Sequence, residues 1–231
     1  MQTVKANGIT LAYRTWGPEE APPVVLLHCR GADGSDWTPV AERLARGPRR
    51  VYAPDLRGHG RSEWPGTYAC EAMRDDIRDF LTVLGIERAD VIGHSLGGTV
   101  ACLLAQRAPG LVRRLVLEDV PAPFPLDPPR PEAERPDGDL PFDWAMVLAT
   151  DRQRNAPDPL WWEHMGRITM PTLVIGGGPS SPIPQDQVAA VAAAIPGARL
   201  VTVDAGHLVH ETCPDEFLAA VSPFLTCRTP S

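Results

Sequence analysis

The feature that most constrains the fold is an alternation of short, continuous apolar runs with helix-like stretches. Six such runs, rich in β-branched residues, predict buried strands: Val24–Leu27, Arg50–Ala53, Asp90–Gly93, Leu115–Leu117, Thr172–Ile175 and Leu200–Val203. The helix-like stretches are about Val40–Ala45, Ala69–Leu84, Leu96–Ala108, Gln185–Ile195 and Pro214–Leu225. This alternation is typical of an α/β fold with a mostly parallel, doubly wound sheet covered on both faces.

Two further strands are predicted upstream, at about Gln2–Val4 and Ile9–Trp16, with Gly8 marking the turn between them. They are expected to be antiparallel edge strands, which brings the predicted sheet to about eight strands. The chain has 231 residues, of which 43% are hydrophobic, so it can bury a sizeable core. We therefore expect residues 1–231 to form a single domain.

One segment interrupts the alternation, because eight of the residues 121–141 are prolines. Such a segment cannot sustain a helix or a central strand. An aromatic-rich stretch that is helical in parts follows it. We interpret about 121–170 as a short Pro-rich lid over the sheet. Phe124, Trp144 and Trp161 are candidates for the wall of an apolar substrate pocket, and the alternative is that they form the core of the lid.

Charge and composition argue against several classes of partner. The net charge is −7 without a basic cluster, which gives no reason to expect a nucleic acid or an anionic membrane as partner. No apolar run approaches the ~18 residues of a membrane span, and no signal peptide is apparent at the N-terminus, so we expect a cytoplasmic protein. The scattered histidines and cysteines lack zinc-ligand spacing, so neither a metal nor a cofactor is expected. The cysteines, expected to be reduced, are Cys29, Cys70, Cys102, Cys213 and Cys227.

The strongest chemical signal is Gly93-His94-Ser95-Leu96-Gly97, which follows a predicted strand and opens a predicted helix. A serine on such a sharp strand-to-helix turn lies in strained backbone, and small neighbours let adjacent chains approach. The N-terminus of the helix behind it favours developing negative charge. The pattern predicts that Ser95 is a nucleophile.

With this motif in place, the chain resembles the α/β-hydrolase superfamily over nearly its whole length, from Val4 to Leu225. Further motifs agree in order. Leu27-His28-Cys29-Arg30-Gly31 is similar to the oxyanion loop of the family, and Asp55 to Ser62 (sequence DLRGHGRS) resembles a stretch that recurs in these enzymes. Ala205-Gly206-His207 follows the last strand, where the family places its catalytic histidine.

The resemblance implies a role for each matching residue. Ser95 attacks a carbonyl group, and His207 accepts its proton and returns it to the leaving group. The backbone N–H groups of Leu96 and Arg30 are expected to form the oxyanion hole. Cys29 stands where glycine is common, and a positive φ there would strain a cysteine. His28 and Cys29 are further candidates for the pocket, with His28 bracing the oxyanion loop.

The position of the triad acid is left open by the sequence. The family usually places an aspartate after the seventh strand, where this chain has Ser181. Some members place the acid after the sixth strand, and Asp119 matches that position best. Glu118, Asp186 and a Ser–His dyad supported by water are the alternatives. Asp186 has a simpler explanation as a helix cap.

The resemblance predicts a serine hydrolase without a cofactor that cleaves a small ester or lactone of apolar character through an acyl-enzyme. A C–C hydrolase, a thioesterase or a haloperoxidase-like enzyme would use the same machinery, and the fold does not decide among them. The rival from another class is a weakly catalytic or non-catalytic protein that binds a small ligand on this fold. Its support is Ser181 at the usual acid position and Cys29 in the oxyanion loop. The oligomeric state is not predicted.

Overall fold

An eight-stranded sheet organises the computed structural model, which describes residues 1–226. The strands lie in the order β1-β2-β4-β3-β5-β6-β7-β8. Their bounds are β1 Gln2–Ala6, β2 Ile9–Trp16, β3 Pro23–Leu27, β4 Arg50–Pro54, β5 Ala89–His94, β6 Val112–Glu118, β7 Thr172–Gly176 and β8 Arg199–Thr202. β1 pairs antiparallel with β2, and β2 pairs antiparallel with β4. The six strands β4-β3-β5-β6-β7-β8, in their order across the sheet, all pair in parallel. The predicted fold class is confirmed.

The helices are α1 Thr38–Ala45, α2 Cys70–Val83, α3 Leu96–Arg107, α4 Trp144–Asn155, α5 Leu160–Glu163, α6 Gln185–Ala194, α7 Val209–Thr212 and α8 Pro214–Thr226. They form two hydrophobic cores, one on each face of the sheet. The first core receives side chains from α2, α3 and α6, and the second receives side chains from α1, α7 and α8. Helices α2, α3 and α6 therefore cover one face of the sheet, and α1, α7 and α8 cover the other.

Strand β3 explains why the predicted strands are continuously apolar rather than alternating. Val25 and Leu27 point into the first core, and Val24 and Leu26 into the second. All four side chains are fully buried. Because successive side chains of a strand point to opposite faces, a strand covered on both sides needs an apolar residue at every position.

The segment between β6 and β7 covers the carboxyl edge of the sheet. Its proline-rich part has no helix up to α4, and α4 and α5 follow. Backbone hydrogen bonds tie it to the loop after β4: the N–H of Gly60 donates to the carbonyl of Pro141 (2.9 Å), and the N–H of Asp143 donates to that of Gly58 (2.8 Å). Trp162 Nε1 donates to the carbonyl of Pro123 at 3.3 Å, which joins the two halves of the lid.

Within residues 1–226, no helix combines the length and the apolar character needed to cross a bilayer. The four cysteines of this part of the chain, Cys29, Cys70, Cys102 and Cys213, are free thiols. Cys227 lies outside the described residues.

Candidate active site

Ser95 lies on a strained turn between β5 and α3, with φ 51° and ψ −111°. A positive φ is unfavourable for a residue with a side chain, so the surrounding structure must hold it there. The N–H of Ser95 donates to the carbonyl of Glu118 at 3.0 Å. A Cβ atom on Gly97 would lie 2.3 Å from the carbonyl oxygen of Leu27, and one on Gly93 would lie 2.4 Å from that of Gly97. Glycine is therefore required on both sides of the turn.

The backbone around Ser95 offers donors for negative charge. Leu96 is the first residue of α3, where a backbone N–H has no partner within the helix. Cys29 and Arg30 line the same cavity as Ser95. Among residues 1–226, only Asn7, Ser95 and Asp119 combine a side chain with a positive φ, so Cys29 carries no strain of that kind. Burial raises the pKa of the Cys29 thiol to about 12, so Cys29 does not compete with Ser95 as a nucleophile at neutral pH.

Asp119 and His207 are brought together from the ends of β6 and β8. His207 Nδ1 lies 2.7 Å from Asp119 Oδ2, which is hydrogen-bond distance, and the Asp119 side chain is fully buried whereas that of His207 is 24% exposed. A carboxylate at this distance fixes the tautomer of the ring, with the proton on Nδ1 and a free Nε2. His207 also lines the cavity that contains Ser95.

Three groups besides His207 donate to the Asp119 carboxylate. Ser181 Oγ donates to Oδ2 at 2.5 Å, and Oδ1 accepts from the N–H of Gly177 (2.9 Å) and from Gln185 Nε2 (3.1 Å). Burial alone would raise the pKa of this carboxyl, but the bonds from His207, Ser181, Gly177 and Gln185 outweigh burial, so its pKa lies below the ordinary value. Asp119 is thus held as an anion.

The other acids considered from the sequence do not meet His207. Asp186 lies in the first turn of α6, where its Oδ1 accepts the N–H of the next residue, Gln187, at 2.9 Å. Glu118 Oε1 accepts from the backbone N–H of His210 at 2.8 Å, and both of its oxygens lie 2.9 Å from His210 Nδ1. Sequence reasoning missed the role of Ser181, which occupies the usual acid position and donates to the acid itself.

A second buried pair lies behind His207. Burial alone would lower the pKa of His210, but the charge of Glu118 outweighs it and raises that pKa. Trp37 stacks on the His210 ring, with 3.9 Å between the centroids. Glu118, His210 and the buried His94 place potential metal-ligand atoms within 4.8 Å of one another. Because both Glu118 oxygens are already bonded to His210, this cluster has the character of an internal ion pair.

A cavity of about 740 Å³ extends from Ser95 under the lid. Its wall includes Leu103, Ile183 and three of the five predicted pocket residues, Cys29, Phe124 and Trp161. The other two predicted residues, His28 and Trp144, do not line this cavity. His28 is fully buried, with Nδ1 2.7 Å from the carbonyl of Cys29 and Nε2 accepting the N–H of Leu56. Trp144 packs against the first hydrophobic core.

We predict that the protein loses stability in acid, because three of its histidines are buried in the neutral form. Burial lowers the pKa of His28 and His94 to about 4 and that of His59 to about 3, below the ordinary 6.5. Below pH 6.5 the unfolded chain therefore binds more protons than the native one. Above pH 6.5 these groups cost the native state no stability. As the pH drops from there towards the pKa values of the folded protein, we expect the free energy of unfolding to fall by about 1.4 kcal/mol per pH unit for each group.

Urea unfolding between about pH 7 and about pH 5 measures this loss. His59 Nε2 has no hydrogen-bond partner among the described residues, so His59→Phe is the variant of choice. It should remove about a third of the slope that these three rings contribute, since His59 is one of them. An unchanged slope in this variant, or equal stability at both pH values, would show that these rings are not held neutral.

Comparisons with known proteins identify the family of the chain. Residues 22–164 match the sequence model of the family described as alpha/beta hydrolase fold. Lipase LipV of Mycobacterium tuberculosis is 28% identical over 254 residues, covering 92% of this chain and 97% of that protein. The chain spans about a third (34%) of the length of an uncharacterized Mycobacterium tuberculosis protein to which it is 41% identical over 118 residues.

Solved structures agree with this family over 98% of the chain. A hydrolase from Pseudomonas aeruginosa superposes with a TM-score of 0.85 at 29% identity, covering 98% of each chain. The enol-lactonase from Burkholderia xenovorans superposes with a TM-score of 0.83 at 28% identity, covering 98% of this chain and 100% of that one. With more than half of its residues in the family match, the chain belongs to the alpha/beta hydrolase fold family.

Proposed function

We propose that this hydrolase is a serine hydrolase that cleaves a small carboxylic ester or lactone through an acyl-enzyme. The observation that carries the proposal is Ser95 on a strained turn in the same cavity as His207, whose ring is bonded to the buried Asp119 carboxylate. Strained backbone of this kind occurs most often at active sites and at sites that hold a ligand. The names of the lipase and the enol-lactonase relatives support the substrate class.

In the proposed first step, Ser95 Oγ attacks the substrate carbonyl while His207 Nε2 accepts its proton. The carbonyl oxygen becomes an oxyanion, stabilised by the backbone N–H groups of Leu96 and Arg30. As the C–O bond to the leaving group breaks, His207 gives its proton to the departing oxygen and an acyl-Ser95 ester remains. Asp119 stabilises the imidazolium that forms transiently.

The second step reverses these roles with water. His207 accepts a proton from water as the water oxygen attacks the acyl carbonyl, and Ser95 Oγ takes that proton back when the acid is released. In a lactone the leaving oxygen stays on the acyl chain, so one ring-opened hydroxy acid is formed. Neither step requires a metal or a cofactor, because the nucleophile, the base and the oxyanion donors all belong to the chain.

A fluorophosphonate probe and a panel of p-nitrophenyl esters and lactones test the proposal. The proposal requires stoichiometric labelling at Ser95, mapped by peptide mass, and release of p-nitrophenol that the probe blocks. An unlabelled Ser95 together with no turnover across the panel would contradict it and would favour a ligand-binding role. Labelling at a different serine would contradict the assignment of the nucleophile.

Trp161 provides a prediction about selectivity, because its buried ring lines the cavity. Trp161→Ala should alter the preference among acyl chain lengths more than the rate on the smallest ester, since it removes apolar wall without touching Ser95. The comparison to make is kcat/KM across an acyl series from acetyl to decanoyl. Trp144→Ala is the matched control from the same lid, since Trp144 packs against the core outside the cavity. If both variants have the wild-type chain-length profile, Trp161 does not contact the acyl chain.

A further inference from the structure

The cavity next to Ser95 has a charge opposite to that of the whole chain. The protein carries a net charge of −7, yet among residues 1–226 six arginines and two acids line this cavity. The arginines are Arg30, Arg74, Arg107, Arg130, Arg154 and Arg167, and the acids are Glu71 and Asp158. A cleft lined by one sign of charge concentrates ligands of the other sign. An excess of cations in a wall whose other side chains are mostly uncharged needs a physical explanation.

The charges of two of these arginines are neutralised by acids of the protein itself. Arg30 Nη1 lies 2.5 Å from Asp151 Oδ1, and Arg74 forms two hydrogen bonds with Asp75, at 3.1 and 3.0 Å. Their charges are locally compensated. They contribute to the shape of the cavity more than to its net potential.

Arg154 is not compensated in this way. It lies half-buried near the C-terminal end of α4, and the ion pairs of residues 1–226 include neither Arg154 nor Arg130. Burial, followed by the positive charges of Arg130 and Arg30, lowers the pKa of the Arg154 guanidinium. Arg30, Arg130 and Arg154 all line this one cavity, and the charge of the Asp151 carboxylate acts on the pKa of Arg154 in the opposite direction.

The protein holds this arrangement by contacts that do not use the guanidinium groups. Asn155 clamps the backbone of Arg130, accepting its N–H at 3.0 Å and donating to its carbonyl at 2.9 Å. Gln153 fixes α4 against the start of α2, accepting the N–H of Cys70 at 2.8 Å and donating to Glu71 at 2.8 Å. Arg130 and Arg154 are therefore anchored by their main chains while their donors remain available to a ligand.

From this juxtaposition we propose that the substrate carries, besides its ester or lactone carbonyl, an anionic group that Arg154 and Arg130 bind within the cavity. The inference rests on the proposed hydrolase function and adds the substrate class. A carboxylate suits the site because a planar guanidinium binds it through two parallel hydrogen bonds. The apolar wall of Leu103, Phe124 and Trp161 would contact the carbon chain between the carbonyl and the anion.

Matched pairs of esters test the proposal. Mono-p-nitrophenyl esters of dicarboxylic acids, from succinate to suberate, are compared with p-nitrophenyl esters of simple acids with the same number of carbons. We expect kcat/KM to favour the anionic member at the best chain length. Arg154→Gln should then lower kcat/KM for that anionic ester by about 10- to 100-fold and change the neutral ester by less than about threefold, because hydrogen bonds to a charged group are strong.

Arg152→Gln is the matched control, on the same helix two residues away. Arg152 is 71% exposed, lies outside the cavity and contacts Glu132 at 3.7 Å. It should keep the wild-type preference for the anionic ester. Equal loss on both esters in Arg154→Gln would overturn the proposal, as would a wild-type enzyme that favours the neutral ester. A preference that appears only with a phosphonate-terminated acyl chain would overturn the choice of carboxylate as the anion.

A binding measurement separates failure of this inference from failure of the proposed function. Calorimetric titration of adipate into Ser95→Ala protein needs no turnover. Binding that Arg154→Gln weakens at least tenfold supports the anion site even if no ester is hydrolysed, in which case only the proposed reaction has failed. Hydrolysis of neutral esters with no adipate binding would leave the reaction standing and overturn the anion site.

Discussion

Replacing Ser95 by alanine should lower kcat for ester hydrolysis by about 10⁴-fold or more and abolish fluorophosphonate labelling, because the members of a catalytic triad act as a unit. Without Oγ no acyl-enzyme can form, and His207 has no proton to accept. What remains is the slow attack of water, helped only by binding and by the oxyanion donors. Stopped assays with a p-nitrophenyl ester and probe labelling followed by mass spectrometry measure the two losses.

The fold should survive this change. Serine and alanine both carry a Cβ at the positive φ of residue 95, so the backbone strain is nearly the same in both proteins. The melting temperature is therefore expected to stay close to that of the wild type. Ser180→Ala is the control, since Ser180 is exposed and bonds to Asp204 at 2.8 Å. Retained hydrolysis in Ser95→Ala, or lost hydrolysis in Ser180→Ala, would contradict the assignment.

The sheet and its order of elements could be predicted because their signals are local. Residues such as Val24 to Leu27 are apolar at every position, and only a strand buried on both faces needs that pattern. The turn at Ser95 could also be predicted from the sequence, since it requires Gly93 and Gly97, each two residues from the serine. Features that a few consecutive residues determine can be found without knowing the tertiary structure.

The environment of the acid could not be predicted in the same way. Ser181 stands where the family usually has an aspartate, so the sequence shows only that the acid is missing at this position. Nothing in the neighbouring sequence reveals that the Ser181 hydroxyl donates to Asp119, 62 residues away. The same holds for the cavity arginines, which are dispersed from Arg30 to Arg167 and meet only in the folded chain. The sequence makes His28 a candidate for the pocket, but its ring turns inward, where Nε2 accepts the N–H of Leu56.

Replacing Asp119 by asparagine should reduce kcat by about 10²- to 10⁴-fold with little change in KM. The carboxylate accepts from His207 Nδ1 at 2.7 Å, which leaves Nε2 free to accept the proton of Ser95. An asparagine amide can donate to Nδ1 instead, and the ring then carries its proton on Nε2, the wrong tautomer for a base. Asp119 is buried and does not line the cavity, so KM is expected to change little. Asp186→Asn is the control and should have nearly wild-type kcat.

A double variant tests whether an acid from the neighbouring strand end can serve the same histidine. Ser181 Oγ lies 2.5 Å from Asp119 Oδ2, so a carboxylate at 181 begins close to the place of the lost one. Asp119→Asn with Ser181→Asp should therefore recover at least tenfold of the kcat lost in Asp119→Asn alone. Ser181→Asp by itself sets two carboxylates side by side, which raises the pKa of one of them and should shift the acid limb of the kcat–pH profile upward. Full activity in Asp119→Asn would show that His207 works without this acid, and a double variant no faster than the single one would show that position 181 cannot orient the ring.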